Sequence, residues 1–256
     1  MKKQNDTLKI IAILTMLIDH IGMMFYPQEL IFRMIGRLAF PIFAYYCVLG
    51  VIRTSNFSRY LTRIVVVGLF TQVPYTYFNR LLIPRPLRLN IMFSLFLIAL
   101  LIWVLENVKS SLGKSVFAGM ILALPLLLEG YLAIDISYGT YGLLLSLGLY
   151  MFVKDKVTLG ILMLLFATAW YGVERVISSY YIVANMALVD VIKHYIVNGK
   201  FLNYTSLQSI ALGGVLVIKS PPAIEIPKMP KWLSYGFYPL HMILLIVIKW
   251  YQLGGQ

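Results

Sequence analysis

Long apolar segments separated by short polar joints are the feature that most constrains this chain. Of its 256 residues, 60% are hydrophobic and only 12% are charged. Soluble domains carry about a quarter charged residues, so this chain has too few to cover a water-exposed surface. Lipid must cover that surface instead, and a helix needs about 20 apolar residues to cross a bilayer. We therefore expect an all-α fold, a polytopic transmembrane helical bundle.

The apolar segments predict about 10 membrane-spanning helices of the length that a bilayer requires. We place these helices at 8–26, 34–52, 60–78, 88–105, 115–133, 138–153, 157–173, 176–197, 203–219 and 232–252. The proline-rich segment 220–231 is the clearest loop, because prolines are poorly tolerated in a helix interior. Residues 1–256 are expected to form a single integral-membrane domain.

The formal net charge of +12 has two readings. It is compatible with nucleic-acid binding, but basic residues in the short loops of a membrane protein also follow the positive-inside rule. We favour the second reading and expect a lipid bilayer, not nucleic acid, as the partner. More lysines and arginines fall on the side of the N-terminus, which predicts a multi-pass protein of the cell membrane with a cytoplasmic N-terminus.

Ionisable residues inside the first segment point to a polar cavity. Asp19 and His20 lie past the middle of the predicted helix 8–26. A charged or titratable group in a span is costly unless it meets a partner or a water-filled cavity. Adjacent residues point about 100° apart on a helix, so His20 can face a cavity while Asp19 caps, pairs with an arginine or orients a neighbour. A histidine bonded only to a nearby carbonyl is the structural alternative.

Two further segments carry polar side chains at helical spacing. Arg33 and Arg37 are one turn apart and can present two guanidinium groups on one side, close to Pro41. A proline break at membrane depth is usual beside a water-filled cavity. In the last segment, Tyr238 and His241 share one helical face. A second histidine in a span strengthens the prediction of a polar cavity.

A second group of arginines is predicted at the cytoplasmic ends of the helices 34–52 and 60–78. Arg53, Arg59 and Arg63 would form a clamp for phosphates, which arginine binds in bidentate fashion. Simple positive-inside anchors are an equally good interpretation of these three residues. Asn90 opens the fourth segment, and Asp135 lies at a rim where a carboxylate is more often solvated than catalytic.

Several classes of site are absent from the sequence. There is no His-Glu-x-x-His, no Gly-x-Ser-x-Gly and no Walker A pattern, which argues against a zinc protease, a nucleophile-elbow hydrolase and a P-loop ATPase. The chain has three histidines and one cysteine, Cys47, so we expect no disulfide and no metal site.

The sequence resembles the TraX family. The stretches that carry the resemblance are Leu8-Lys9-Ile10-Ile11-Ala12, Met16-Leu17-Ile18-Asp19-His20-Ile21-Gly22, Ile35-Gly36-Arg37-Leu38-Ala39-Phe40-Pro41-Ile42-Phe43, Arg59-Tyr60-Leu61-Thr62-Arg63 and Phe237-Tyr238-Pro239-Leu240-His241. The middle of the chain, roughly 105–220, matches only as apolar helices. The resemblance implies kinship with the F-pilin acetylase and with larger membrane acyltransferases.

The resemblance implies an acetyl-CoA-dependent N- or O-acetyltransferase. His20 would be the general base toward an amine or hydroxyl acceptor, which could be a pilin N-terminus, a glycan or a small amine. Asp19 would orient His20 or pair with Arg37. The further implied roles are binding of acetyl-CoA by Arg53, Arg59, Arg63 and Asn90, with the three arginines on its phosphates. Oxyanion stabilisation or acceptor binding would fall to His241, Tyr238, Arg37 or Asn90.

Two other functions remain open at this point. A secondary transporter would use aspartate, histidine and arginine side chains as a proton relay, although the inverted repeat that such proteins usually show is not visible here. A structural partner of an envelope machine would use the same charges for contacts between helices. It would tolerate conservative changes at His20 and Arg37.

Overall fold

A computed structural model of the protein describes residues 6–82, 87–182, 205, 207–222, 229–252 and 254. Within these residues the fold is all-α apart from two strands of two residues each, which confirms the predicted class. The helices are α1 (Thr7–Phe25), α2 (Leu30–Gly36), α3 (Ala39–Arg53), α4 (Phe57–Leu82), α5 (Ile91–Asn107), α6 (Ser111–Leu132), α7 (Gly139–Val153), α8 (Val157–Ile182), α9 (Ala211–Lys219) and α10 (Lys231–Gln252). The strands are β1 (Arg88–Leu89) and β2 (Asp135–Ile136).

The apolar helices are those of a membrane protein. Among the described residues, four helical segments are long and apolar enough to cross a bilayer: Thr7–Phe25, Leu30–Arg53, Ser111–Leu132 and Val157–Glu174. Ile91–Asn107, Gly139–Val153 and Leu207–Lys219 are apolar but shorter. The predicted count of about ten spans is therefore not confirmed. Most of the predicted span 176–197 lies outside the described residues.

The predicted span 34–52 lies within the membrane-length segment Leu30–Arg53, but it is not one continuous helix. α2 ends at Gly36, and Arg37 and Leu38 form a turn before α3 begins at Ala39. Pro41 lies in the first turn of α3, where no helix hydrogen bond needs its missing N–H. The proline thus starts α3 and does not interrupt a longer helix.

The predicted division between 157–173 and 176–197 is also wrong, because α8 runs unbroken through this point to Ile182. Glu174, which lies at the predicted break between these two helices, is only 2% exposed. Its carboxylate accepts hydrogen bonds from the backbone N–H groups of Thr140 at 2.9 Å and Tyr141 at 3.0 Å, in the first turn of α7. A helix N-terminus favours a negative charge, so α8 can bury this glutamate without a break.

The predicted helix start at 88 is wrong by three residues. Arg88 and Leu89 form β1, which pairs in parallel with β2. The backbone N–H of Ser137 then donates to the carbonyl of Leu89 at 3.1 Å. α5 begins after Asn90, whose side-chain oxygen accepts the N–H of Met92 at 2.9 Å and so caps the helix.

The core is centred on α3 and α7. Phe40, Ala44 and Val48 of α3 have no exposed surface. α7 packs closely on α8 because a side chain at either Gly148 or Gly160 would approach the backbone oxygen of the other at 3.1 Å. By contrast, only 6% of the most apolar window of α6 is buried. That surface is the one expected to face lipid.

The short connections make successive helices run in opposite directions. α3 and α4, for example, are joined by residues 54–56 only. The C-terminal parts of α1, α4 and α8 consequently gather at one end with the N-terminal parts of α3, α5 and α7. The α3–α4 connection lies at the opposite end, roughly 20 Å away along α3 at about 1.5 Å per residue.

Candidate functional site

A cavity of about 100 Å³ lies at the end of the bundle where α1, α4 and α8 finish. A single buried water needs only about 10–15 Å³, so the space can hold part of a ligand. The charged and hydroxyl-bearing residues of its wall are Asp19, His20, Arg33, Arg37, Tyr75, Arg88, Ser137, Tyr138, Tyr171, Glu174 and Tyr238. Four of the five predicted catalytic residues are among them, and the fifth, His241, lies directly behind His20.

The two histidines form a hydrogen-bonded chain. The Nδ1 atom of His20 lies 2.7 Å from the Nε2 atom of His241, and the two rings are 9° from parallel. The Nδ1 atom of His241 lies 2.8 Å from the carbonyl oxygen of Phe237, one turn earlier in α10. His241 is only 4% exposed, and the rings of Phe78 and His20 make an edge-type contact with their centres 5.4 Å apart.

This chain determines which nitrogen of each neutral ring carries the proton. A carbonyl oxygen can only accept, so the Nδ1–H of His241 donates to Phe237 and its Nε2 becomes an acceptor. The Nδ1–H of His20 must then donate to His241. The Nε2 atom of His20 is left with its lone pair, as a general base requires.

Asp19 pairs with Arg33. The Nη1 atom of Arg33 donates to the Oδ2 atom of Asp19 at 2.8 Å, whereas the sequence suggested that Asp19 orients His20 or pairs with Arg37. α1 and α2 approach closely here, because a Cβ atom on Gly36 would overlap the Asp19 side chain. Arg33 and Arg37 both reach the cavity, but Arg33 is held by the carboxylate.

Arg37 occupies the turn between α2 and α3 and lines the cavity together with Tyr138 and Tyr171. Its Nε atom is fully buried and has no hydrogen-bond partner. None of the ion pairs found among the described residues involves it. Arg37 is therefore a cation of the cavity wall that makes no direct ion pair among the described residues, and the nearby Asp19 carboxylate attracts it only at longer range.

A second ion pair lies on the small sheet. The Nε atom of Arg88 is 3.0 Å from the Oδ2 atom of Asp135, across the paired strands β1 and β2. The sequence left the role of Asp135 open, and the parallel pairing of the strands places this residue opposite Arg88. Next to this pair, the hydroxyl groups of Tyr75 and Ser137 are 2.8 Å apart.

Tyr138 and Tyr238 complete the wall. Tyr138 has a φ of 66°, a left-handed conformation uncommon for a tyrosine, and its ring stacks on Phe40 at a centroid distance of 3.7 Å. The next residue, Gly139, has a φ of 40°, and a Cβ atom there would overlap the Glu174 carboxylate. Tyr238 is 7% exposed, and its ring centre lies 5.8 Å from that of His241.

The predicted phosphate ligands do not meet this cavity. Arg53, Arg59 and Arg63 are exposed around the α3–α4 connection, at the opposite end of the bundle. Asn90 is fully buried, and its amide donates to the carbonyl of Gly68 at 2.8 Å and to Gln72 at 2.9 Å. These contacts and the cap of α5 use the side-chain amide of Asn90 for hydrogen bonds within the fold. Its expected part in cofactor binding remains a prediction that they do not favour.

Sequence reasoning missed Arg88, Tyr75 and Glu174 as cavity residues. Glu174 had a visible signal, because a lone carboxylate inside a long apolar run is costly in lipid. Arg88 and Tyr75 had none, since their positions depend on the pairing of β1 with β2 and on the packing of α4 against that sheet. Among the described residues no group of histidine, cysteine, aspartate and glutamate side chains has the arrangement of a metal site.

Comparison with known proteins identifies the family. A protein of Rickettsia prowazekii (strain Madrid E), described as uncharacterized protein RP591, is 30% identical over 135 residues, which is 53% of this chain and 50% of that protein. The chain thus matches about half the length of this curated relative. No solved structure matches it. The family model described as TraX protein matches residues 4–249, nearly the whole sequence, so the chain belongs to the TraX family.

Proposed function

We propose that this protein is an integral-membrane acetyltransferase, which moves an acetyl group from acetyl-CoA to an amine or hydroxyl acceptor with His20 as general base. Membership of a family related to pilin acetylation supports the reaction class. The observation that carries the proposal is the chain from His20 through His241 to the carbonyl of Phe237. It favours a neutral His20 with a bare Nε2 atom beside the cavity.

The proposed step balances as a simple acyl transfer. His20 Nε2 takes the proton of the acceptor amine or hydroxyl while the acceptor attacks the thioester carbonyl carbon. The new N–C or O–C bond forms, the C–S bond breaks, and the proton passes from His20 to the departing sulfur. A positioned histidine of this kind contributes about 10²–10⁴ in rate. His241 keeps the ring oriented throughout, because its own Nδ1–H remains bonded to Phe237.

Acetyl-CoA would supply the activated acetyl group, and its phosphates would bind outside the cavity. Arg53, Arg59 and Arg63 are exposed and enter no ion pair among the described residues. They cluster where α4 begins, and a helix N-terminus also favours phosphate. The separation of roughly 20 Å along α3 suits a donor whose phosphates and thioester are joined by a long arm.

The same separation supports a proposed orientation. If the N-terminus is cytoplasmic, the three arginines lie at the cytoplasmic end, where acetyl-CoA is found, and the cavity lies nearer the other face. The acceptor would then enter from that other face of the cell membrane. The excess of basic residues on the N-terminal side favours this orientation over its inverse.

The test is acetyl transfer by purified protein in liposomes, with radiolabelled acetyl-CoA on one face and candidate acceptors on the other. We expect label on the acceptor and a mass increase of one acetyl group, both abolished by His20→Ala. Arg80→Gln is the control, since Arg80 is exposed at the end of α4 and does not line the cavity. Full transfer by the His20→Ala variant would contradict the assignment. Uptake of solute in the absence of any acyl donor would favour a transporter.

A further inference from the structure

The arginines around the cavity do not all have an ion-pair partner. In the part of the chain that the structure describes, three guanidinium groups line the cavity, those of Arg33, Arg37 and Arg88. Arg33 is neutralised by Asp19 at 2.8 Å, and Arg88 by Asp135 at 3.0 Å. These two pairs leave Arg37 as the arginine of the wall without an ion-pair partner among the described residues.

The remaining wall carboxylate is directed elsewhere. The two oxygens of Glu174 accept the N–H groups of Thr140 and Tyr141 at 2.9 and 3.0 Å, so this charge is complemented by the N-terminus of α7. Meanwhile the Nε atom of Arg37 is buried without a hydrogen-bond partner. A buried, unpaired polar group is costly. Because the Nε atom is itself covered by protein, a ligand would bond the part of the Arg37 guanidinium that lines the cavity.

We propose that Arg37 binds an anionic group, a carboxylate or a phosphate, on the acceptor that enters this cavity. The inference rests on the proposed function and narrows its acceptor to molecules with a negative charge close to the reacting amine or hydroxyl. Arginine suits this role because its planar fork donates two parallel hydrogen bonds to a carboxylate or a phosphate. The cavity of about 100 Å³ brings that anion and the His20 ring into one small space.

The anion belongs to the acceptor and not to the acetyl donor. The acetyl end of the donor, which must reach His20, is uncharged. The charged end is served by Arg53, Arg59 and Arg63 at the opposite end of the bundle. Neither end of the donor therefore needs Arg37, and an anion bound there would belong to the acceptor.

The first experiment measures anion binding without any acetyl donor. Purified protein in detergent is titrated calorimetrically with sodium acetate and, separately, with inorganic phosphate, at constant ionic strength. We expect saturable binding by the wild type and by the exposed-arginine control Arg80→Gln. Arg37→Gln should bind about ten- to hundredfold more weakly, the loss expected for a hydrogen bond to a charged group. Whichever anion binds more tightly identifies the acceptor group as a carboxylate or a phosphate.

Two results would overturn the proposal: wild-type protein that binds neither anion saturably, or an Arg37→Gln variant that binds as tightly as wild type. A guanidinium that served only a transient oxyanion would give the first result. If Arg37→Gln does not yield folded protein, Arg37→Lys replaces it. Lysine keeps the charge but loses the fork, so severalfold weaker binding is expected and unchanged binding counts against the proposal.

The second experiment uses a matched pair of acceptors, β-alanine and its amide, with radiolabelled acetyl-CoA. The wild type should acetylate the carboxylate-bearing molecule with the higher kcat/KM, and Arg37→Gln should remove that preference. Equal preference in both proteins would overturn the proposal. Failure of all acetyl transfer would contradict the proposed function alone, because the calorimetric result is independent of it.

Discussion

The Nε2 atom of His241 lies 2.7 Å from the Nδ1 atom of His20, although the two residues are 221 positions apart in the sequence. The contact joins the last described helix to the first and orients the ring that faces the cavity. His241 is itself held by the Phe237 carbonyl at 2.8 Å. In the proposed mechanism His241 is therefore a positioning residue, because it acts on the reacting atoms through His20.

Substitution of His241 should lower kcat with little change in KM. His241→Leu removes the acceptor for the Nδ1–H of His20, and a misplaced base costs up to about a hundredfold in rate. His241→Gln offers an amide oxygen in its place and should retain more activity than the leucine variant. Steady-state kinetics of acetyl transfer check both variants. A leucine variant with the kcat of the wild type would show that His241 does not position His20.

The packing of α1 on α2 predicts a strong effect of a single methyl group. In Gly36→Ala the new Cβ atom would overlap the side chain of Asp19 and disturb its ion pair with Arg33. Overpacking of this kind costs about 1–3 kcal/mol. Gly119→Ala is the matched control, since a Cβ atom there meets nothing within 4 Å. Thermal denaturation in detergent should show a lower Tm for the first variant only, and equal Tm values would contradict the close approach.

The ion pair between the strands makes a prediction about coupling. Asp135→Asn leaves Arg88 without its carboxylate, and an unpaired, largely buried charged group costs about 1–3 kcal/mol or more. The double variant Arg88→Gln with Asp135→Asn leaves no charge behind. It should be less destabilised than the sum of the two single variants. A double-mutant cycle on the free energy of unfolding measures this, and simple additivity would indicate that the pair does not interact.

Asn90 and the exposed arginines should behave in opposite ways. Asn90→Ala removes the cap of α5 and the bonds to Gly68 and Gln72, so it should lower stability by about 1–2 kcal/mol and leave the KM for acetyl-CoA unchanged. Arg59→Gln and Arg63→Gln should raise that KM without changing Tm. A normal Tm combined with a raised KM in Asn90→Ala would instead restore the role that the sequence suggested for this residue.

The helices were predictable because their signal is local. An apolar run of sufficient length indicates a helix in lipid, and α1, α7 and α10 begin and end within one residue of their predicted bounds. The errors occurred where tertiary contacts decide. Pro41 seemed to break a helix but starts one, and the predicted break after residue 173 does not occur, because the N-terminus of α7 accommodates Glu174 within α8.

The site was predictable in its residue types but not in its pairings. Asp19, His20 and Arg37 stood out because ionisable groups are rare in apolar spans. Which arginine meets Asp19 depends on the close approach of α1 and α2 at Gly36, which no sequence spacing reveals. The pairing of Arg88 with Asp135 likewise requires the parallel contact of β1 and β2.

The most direct test of the central claim is the protonation state of the His20 ring. Nitrogen NMR of histidine-labelled protein in detergent, assigned by single substitution of each of the three histidines, reports which ring nitrogen carries hydrogen. At a pH where both rings are neutral, we predict hydrogen on Nδ1 of His20 and a bare Nε2. A spectrum with hydrogen on Nε2 of His20 would contradict the account, because that nitrogen would have no lone pair to accept a proton.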